Sequence, residues 1–572
     1  MRHLCQTHTR LLPVPIVLLG LALSGAARAE TTVPITGIGT SVTGDFVINT
    51  HADSVVYSGP VDIVIHGIPS VEIRGTVSGV GWGGAGIVTR AANEHYHYNI
   101  PFVARWRKQN PGNRLVFYNH GGGSTLVAAV KRDKLSGAAN PNRFAELNGD
   151  LLIGVPALLE SATYVSINRR GMRGDGTFSA TYDAPVAPLT AAEVATIVAD
   201  LATAPGNPAF MQSGITAGAP VPTLPTNDAP TCRDVARALE QVIAGIQGTQ
   251  FRTRIAAGTS SGARLFAALN FGRSVVGTKS ARTGGNHVVP YDAGAARIFD
   301  GYILMGFGYT AGVDHADSTL PLSAPVMFFQ GQGEERYQQH ITMANELMKK
   351  GVVLDGHVWL YEIKNLTHVA RDNVNEITTG SDGDRLGCFI SSAIHNLRAR
   401  LEEGTGPPLS RMAGRIVNGM LQFDQAGGTI SNVAPIPDDP ARDTSVFDVN
   451  LTPRPIGSEE TARWLAVTAA LPHVRDAITP PTVACRLGSY KLMFFGSQLV
   501  PLSPAELAAK YGSFECYRAC VRQTIDCLRA QNLYDSRVES ASETADRARA
   551  LFGLPVPSPL QTERQPVLTK WK

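Results

Sequence analysis

The chain has 572 residues, 44% of them hydrophobic and 17% charged, with a formal net charge of +3. That composition excludes a disordered chain and a multi-span membrane protein, and it gives no sign of a nucleic-acid partner. The 57 glycines and 36 prolines follow no fixed period, so a repeat architecture is excluded as well.

The first 29 residues read as a secretory leader. Arg2 and Arg10 are followed by a mostly apolar run, Leu11 to Gly25, and Ala27-Arg28-Ala29 fits a small-residue cleavage site. The apolar run is short and broken by Pro13 and Pro15, which argues against a stable membrane anchor. Cleavage would remove three arginines and take the formal charge to about zero. It would also remove Cys5, leaving Cys232, Cys388, Cys485, Cys516, Cys520 and Cys527. An even number of cysteines in an exported chain points to disulfides, and no paired C-x-x-C argues for zinc. The expected location is secreted or periplasmic.

Residues 30–95 alternate polar and apolar side chains between Gly and Pro punctuation, which predicts a strand-rich segment. From 96 to 404 the texture becomes that of an α/β core. Strands are expected at "RLVFYNH" (114–120), "ATYVSIN" (162–168), "TRIAAG" (253–258), "GYILMG" (301–306), "PVMFFQG" (325–331) and "HVWLYEI" (357–363). "RDVARALEQVIAGI" at 233–246 has helical spacing. This alternation implies a mostly parallel sheet with helices on both faces. Residues 176–231, rich in Ala, Pro and Thr, read as an insertion. The gap between "GYILMG" and "PVMFFQG" is too short to hold a cap. The roof of the site is therefore expected from 176–231 and part of 405–485. Residues 405–572 read as a C-terminal extension packed on the core, with a helix capped by Ser503 and Glu506 and a second at about 513–532. Cys516, Cys520 and Cys527 share a face of that second helix, so its bonds are expected outward, to some of Cys232, Cys388 and Cys485, pinning the extension onto the core.

Sites in parallel sheets form at the carboxyl ends of the strands. "AAGTSSGARLFAALN" (256–270) places Ser260 between Gly258 and Gly262 where a strand gives way to a helix, the arrangement of a nucleophile elbow. His120-Gly121-Gly122-Gly123 follows another strand. Its unobstructed N–H groups suit an oxyanion hole, with Gly122, Gly123 and Ser261 as donors. Glu334 lies three residues beyond Gly331 and is the expected acid, with Glu335 second and Asp314 and Asp317 distant third choices. His368, just past the last core strand, is the expected base. His95 and His97 have no third ligand at a suggestive spacing and read as a polar strand face. "NRRGMRGDG" (168–176) reads as a charged loop beside the site.

Taken together, "NHGGGS", "INRRGMRGDG", "GTSSG", "FFQGQGE" and "YEIKNLTH" resemble an α/β-hydrolase-fold serine esterase, whose chain order is nucleophile, acid, histidine. The likeness is nearest to the bacterial secreted group known as "alpha/beta hydrolase domain-containing", which "WLYEIKNLTHVARD" and the tail "LAAKYGSFECYRACVRQTIDCLRAQNLY" also resemble. The resemblance implies hydrolysis of a small or polymeric carboxylic ester through Ser260, Glu334 and His368, with no cofactor. Three departures matter. The acid here is Glu, where the superfamily more often has Asp. The tannase and feruloyl-esterase family flanks its Ser and His with cysteines, whereas Thr259 and Val369 stand here. Poly(hydroxyalkanoate) depolymerases share the triad, but the C-terminus carries no substrate-binding repeat. An amidase or peptidase with the same triad, and a non-catalytic binding protein on this scaffold, are the other expectations. Oligomeric state is not legible.

Overall fold

The computed structural model describes residues 30–42, 48–82, 95–119, 150–167, 179–182, 229–259, 297–306, 324–331, 347–364, 386–412, 477–493 and 496–555, with shorter pieces between them. The leader expected at 1–29 lies outside these residues. No helix among them is long and apolar enough to cross a membrane.

The architecture is α/β. Short strands β1 (Thr31–Pro34) and β2 (Gly39–Val42) flank three long ones, β3 (Ile48–Ile65), β4 (Ile68–Trp82) and β5 (His95–Arg107). Then come β6 (Arg114–Asn119), β7 (Ala162–Ile167), β8 (Ser179–Tyr182) and β9 (Thr253–Thr259). A hairpin of β10 (Arg273–Val276) and β11 (His287–Pro290) stands apart. β12 (Gly301–Met305), β13 (Val326–Gly331) and β14 (Val358–Ile363) complete the sheet. All six core strands expected from the sequence are strands, displaced by a residue or so at their ends.

The strand order is β1-β3-β4-β5-β7-β6-β9-β12-β13-β14, with β2 on β3 and β8 on β5. Pairing is antiparallel from β1 to the β5–β7 contact and parallel from β7 to β14. The strand-rich N-terminal segment is thus hydrogen-bonded into the same sheet as the parallel strands. β8 falls inside the expected insertion and extends the sheet beside Tyr96–Asn99.

The parallel strands β12, β13 and β14 are buried residue after residue, because helices cover both faces. On one face Phe117, Leu304, Phe328 and Leu360 pack with α2 (Ala229–Gln247). On the other, Val116, Met327 and Trp359 join a core that includes α1 (Val155–Leu159) and α3 (Leu386–Glu403). α2 begins at Ala229, within the last residues of the range 176–231. Asp234 of α2, fully buried, accepts hydrogen bonds from Thr40 (2.9 Å) and Thr50 (2.6 Å), which lock the helix to β2 and β3.

The extension contributes α4 (Glu459–Ala470), α5 (Pro481–Ala484), α6 (Pro504–Tyr511), α7 (Phe514–Ala530) and α8 (Ala541–Asp546). α6 starts at the expected capping box of Ser503 and Glu506. The tail is held to the core through Glu160, just past α1. Its carboxylate meets Arg537 at 2.6 Å, Arg398 at 3.2 Å and His395 at 3.2 Å. Burial works to raise the Glu160 pKa, but the hydrogen bonds from His395 and Arg537 outweigh it and hold the group at about 2.

Among the described residues, one disulfide joins Cys485 to Cys520 of α7. The helix does bond outward, yet its partner belongs to the extension itself. Cys232 and Cys388 are buried and form no disulfide, so neither staples the tail to the core; Cys516 and Cys527 are exposed and also unbridged. The extension docks instead by apolar packing, in which Tyr517, Val521 and Ile525 share a core with Phe389 and Trp359.

Candidate active site

Because β6, β9, β12, β13 and β14 run parallel, their carboxyl ends lie along one edge of the sheet. Asn119 is in register with Gly258, Met305 with Thr259 and with Phe329, and Gly331 with Ile363. Ser260 is one residue beyond β9, Glu334 three beyond β13, and His368 five beyond β14. Gly122 and Gly123 are three and four beyond β6. The topology therefore sends all four segments out at the same edge. Ser260, Ser261, Gly122, Gly123, Glu334, Glu335 and His368 themselves lie outside the described residues, as do Asp314, Asp317 and the loop at 168–176.

The residues that flank Ser260 and Ser261 are described, and they are tightly packed. Thr259 is the last residue of β9 and Gly262 is already helical. Strand gives way to helix within two residues. A Cβ on Gly258 would lie 2.7 Å from the Ala263 nitrogen and 2.8 Å from its Cα. A Cβ on Gly262 would lie 2.2 Å from the carbonyl oxygen of Asn119, the last residue of β6. Both obstacles are backbone, which cannot rotate away as a side chain can. The helix after the turn is fastened by Phe266, fully buried, with its ring 6.2 Å edge-on to Phe117 and 5.7 Å from Phe299. Below the turn the Tyr118 and Thr259 hydroxyls are 3.2 Å apart.

Three polar side chains at the same edge escaped the sequence reading. Asn119 is 2% exposed, and Gln330 and Glu362 are fully buried. Gln330 and Glu362 are register partners on β13 and β14. Neither amide atom of Gln330 has a hydrogen-bond partner among the described residues. The available signal was a Gln and a Glu inside otherwise apolar strands, "PVMFFQG" and "HVWLYEI". His95 sits in β5 and its Nε2 accepts the Asn49 N–H at 3.1 Å, while His97 is exposed on the same strand. Among the described residues, no cluster of three His, Cys, Asp or Glu could hold a metal ion.

No family model matches the chain, and no curated protein matches it by sequence. Solved structures do match. Esterase Est22 is 10% identical, over 48% of this chain and 68% of its own, at a TM-score of 0.25. A truncated carbohydrate esterase from gut microbiota is 12% identical over 51% and 88%, at 0.25. Esterase B from Lactobacillus rhamnosis is 13% identical over 47% and 75%, at 0.23.

Proposed function

We propose that the chain is an exported serine hydrolase of the α/β-hydrolase fold that cleaves carboxylic esters. The observation that carries the reading is the pair of crowded glycines on either side of Ser260. Gly258 and Gly262 each press against backbone, β9 ends at Thr259, and Gly262 is already helical. A Gly/Ser-rich loop that merely caps a helix needs no such contact on both sides. Further support comes from the order Ser260, Glu334, His368, each just past its own parallel strand, and from the glycine run that leaves β6 beside β9. The leader-like residues 1–29 and the Cys485–Cys520 bond support export.

In this reading Ser260 attacks the ester carbonyl while His368 takes its proton. The oxyanion that forms is held by the N–H groups of Gly122, Gly123 and Ser261, aided by the N-terminus of the helix after the elbow. His368 then protonates the leaving alcohol, and water, deprotonated by the same histidine, releases the acid. Glu334 keeps the imidazole oriented and stabilises its protonated form. No step calls for a cofactor.

A fluorophosphonate probe tests the proposal. It should label the parent at Ser260, and Ser260→Ala should lose both labelling and ester turnover at an unchanged melting temperature. Turnover by Ser260→Ala near the parent rate would end the reading.

A further inference from the structure

Among the described residues β14 ends the strand order, and its outer edge pairs backbone to backbone with Arg411 and Ile478 of the C-terminal extension, while the Leu360 N–H donates to the Ser410 hydroxyl at 3.0 Å. Arg411 donates its N–H to the Leu360 oxygen at 2.7 Å and accepts the Glu362 N–H at 2.7 Å. Ile478 takes the next place along the edge. Its N–H donates to the Glu362 oxygen at 2.7 Å, and its oxygen accepts the Lys364 N–H at 2.9 Å. Lys364 is the first residue after β14, and His368 follows four residues later. The last peptide groups of the strand are therefore held by β13 on one side and by Ile478 on the other.

Ile478 is itself anchored. Its side chain is 3% exposed and belongs to the core shared with α3 and α7. The chain continues through α5 to Cys485, which is bonded to Cys520 of α7. The Tyr511 hydroxyl donates to the Cys485 carbonyl oxygen. An unpaired edge strand frays at its end, and a group displaced by about 1 Å from its productive place loses on the order of 100-fold in rate.

We infer that the Ile478 peptide group is a positioning element for the loop that carries His368, and that the extension serves catalysis by fixing the direction in which β14 ends. The inference rests on the Ser260–His368 reading. Ile478 acts through the β14 backbone and touches no reacting atom.

The test compares two prolines, each of which deletes one N–H from the same edge. Ile478→Pro removes the bond to the Glu362 oxygen, at the strand's exit. Arg411→Pro removes the bond to the Leu360 oxygen, two residues earlier. Fluorophosphonate labelling rate, kcat, KM and melting temperature are measured for both, with the pH dependence of kcat. Ile478→Pro should lower kcat and labelling about tenfold or more, leave KM within about twofold, and shift the rising limb of the pH profile. Arg411→Pro should cost a similar melting temperature with kcat within about threefold. Equal kcat in the two variants would overturn the inference and leave the edge purely structural. If Ile478→Pro does not fold, a Cys485→Ser, Cys520→Ser double variant replaces it, since it loosens the anchor without touching β14. Labelling slowed about threefold well below the melting temperature supports the inference; an unchanged rate overturns it. A parent that the probe does not label overturns the triad reading and this inference together, whereas a labelled parent with a parent-like Ile478→Pro overturns only the latter.

Discussion

Gly262→Ala adds one methyl group at the tightest contact of the elbow. The new Cβ would lie 2.2 Å from the Asn119 carbonyl oxygen, where ordinary contacts begin at 3.4 Å. Roughly 1 Å of movement must therefore be found between the end of β6 and the start of the helix after Ser260. Neither end moves freely. Asn119 is in register with Gly258, and the helix is fastened by the buried Phe266. Overpacking of this kind costs about 1–3 kcal/mol in stability. If Ser260 is the nucleophile and Gly122–Gly123 the oxyanion donors, as proposed, the cost in rate should be larger in relative terms, because the movement changes the distance between the ends of β6 and β9 from which both leave. A shift of about 1 Å between them corresponds to on the order of 100-fold in kcat, or about 2.7 kcal/mol of transition-state stabilisation. Steady-state kinetics on a short-chain p-nitrophenyl ester, beside a thermal melt, reads both quantities. Gly245→Ala is the matched control. It lies in α2, nothing is within 4 Å of its Cβ position, and its φ is not positive, so alanine there should stabilise by about 0.5–1 kcal/mol and leave kcat alone. A Gly262→Ala enzyme with parent kcat and melting temperature would refute the account of the elbow.

Glu334→Gln should lose far more activity than Glu335→Gln, because only one carboxylate can reach the imidazole; equal and mild losses would send the search to Asp314 and Asp317. Glu160→Gln should loosen the tail. A folded pKa of about 2 against the ordinary 4.5 sets a ceiling of about 3–4 kcal/mol, and the half-exposed Arg537 (49%) brings the expectation to about 2 kcal/mol. The sign follows from a depressed carboxylate. The contribution is complete above about pH 5 and is lost as pH falls from 4.5 toward 2, so urea unfolding should show the parent–variant gap more than halved by about pH 3. Non-reducing peptide mapping of the mature protein should recover a Cys485–Cys520 peptide and no other bridged pair, and Cys485→Ser with Cys520→Ser should cost about 3–4 kcal/mol for a bond spanning 35 residues.

Local periodicity and turn chemistry were legible along the chain. The parallel strands announced themselves as short apolar runs, since a strand covered on both faces has no polar side to show. Ser503 and Glu506 marked a helix start because a capping box is made within one turn. The glycines at 258 and 262 marked a place of close backbone approach because the residue type itself states that something lies close. What lies close was not legible. The obstacle to Gly262 is Asn119, more than a hundred residues away, and only the pairing of β6 with β9 brings it there. The cysteines show the same division. Helical spacing ruled out Cys516 with Cys527, but the choice among three distant partners depended on where Cys485 lands against α7. Nor does any pattern near Ile478 indicate that it closes the sheet beside β14. Sequence patterns record what a residue asks of its immediate neighbours. Which distant backbone fills an open sheet edge is decided by packing the whole chain, because an unpaired strand edge accepts any segment whose N–H and C=O groups can be delivered to it.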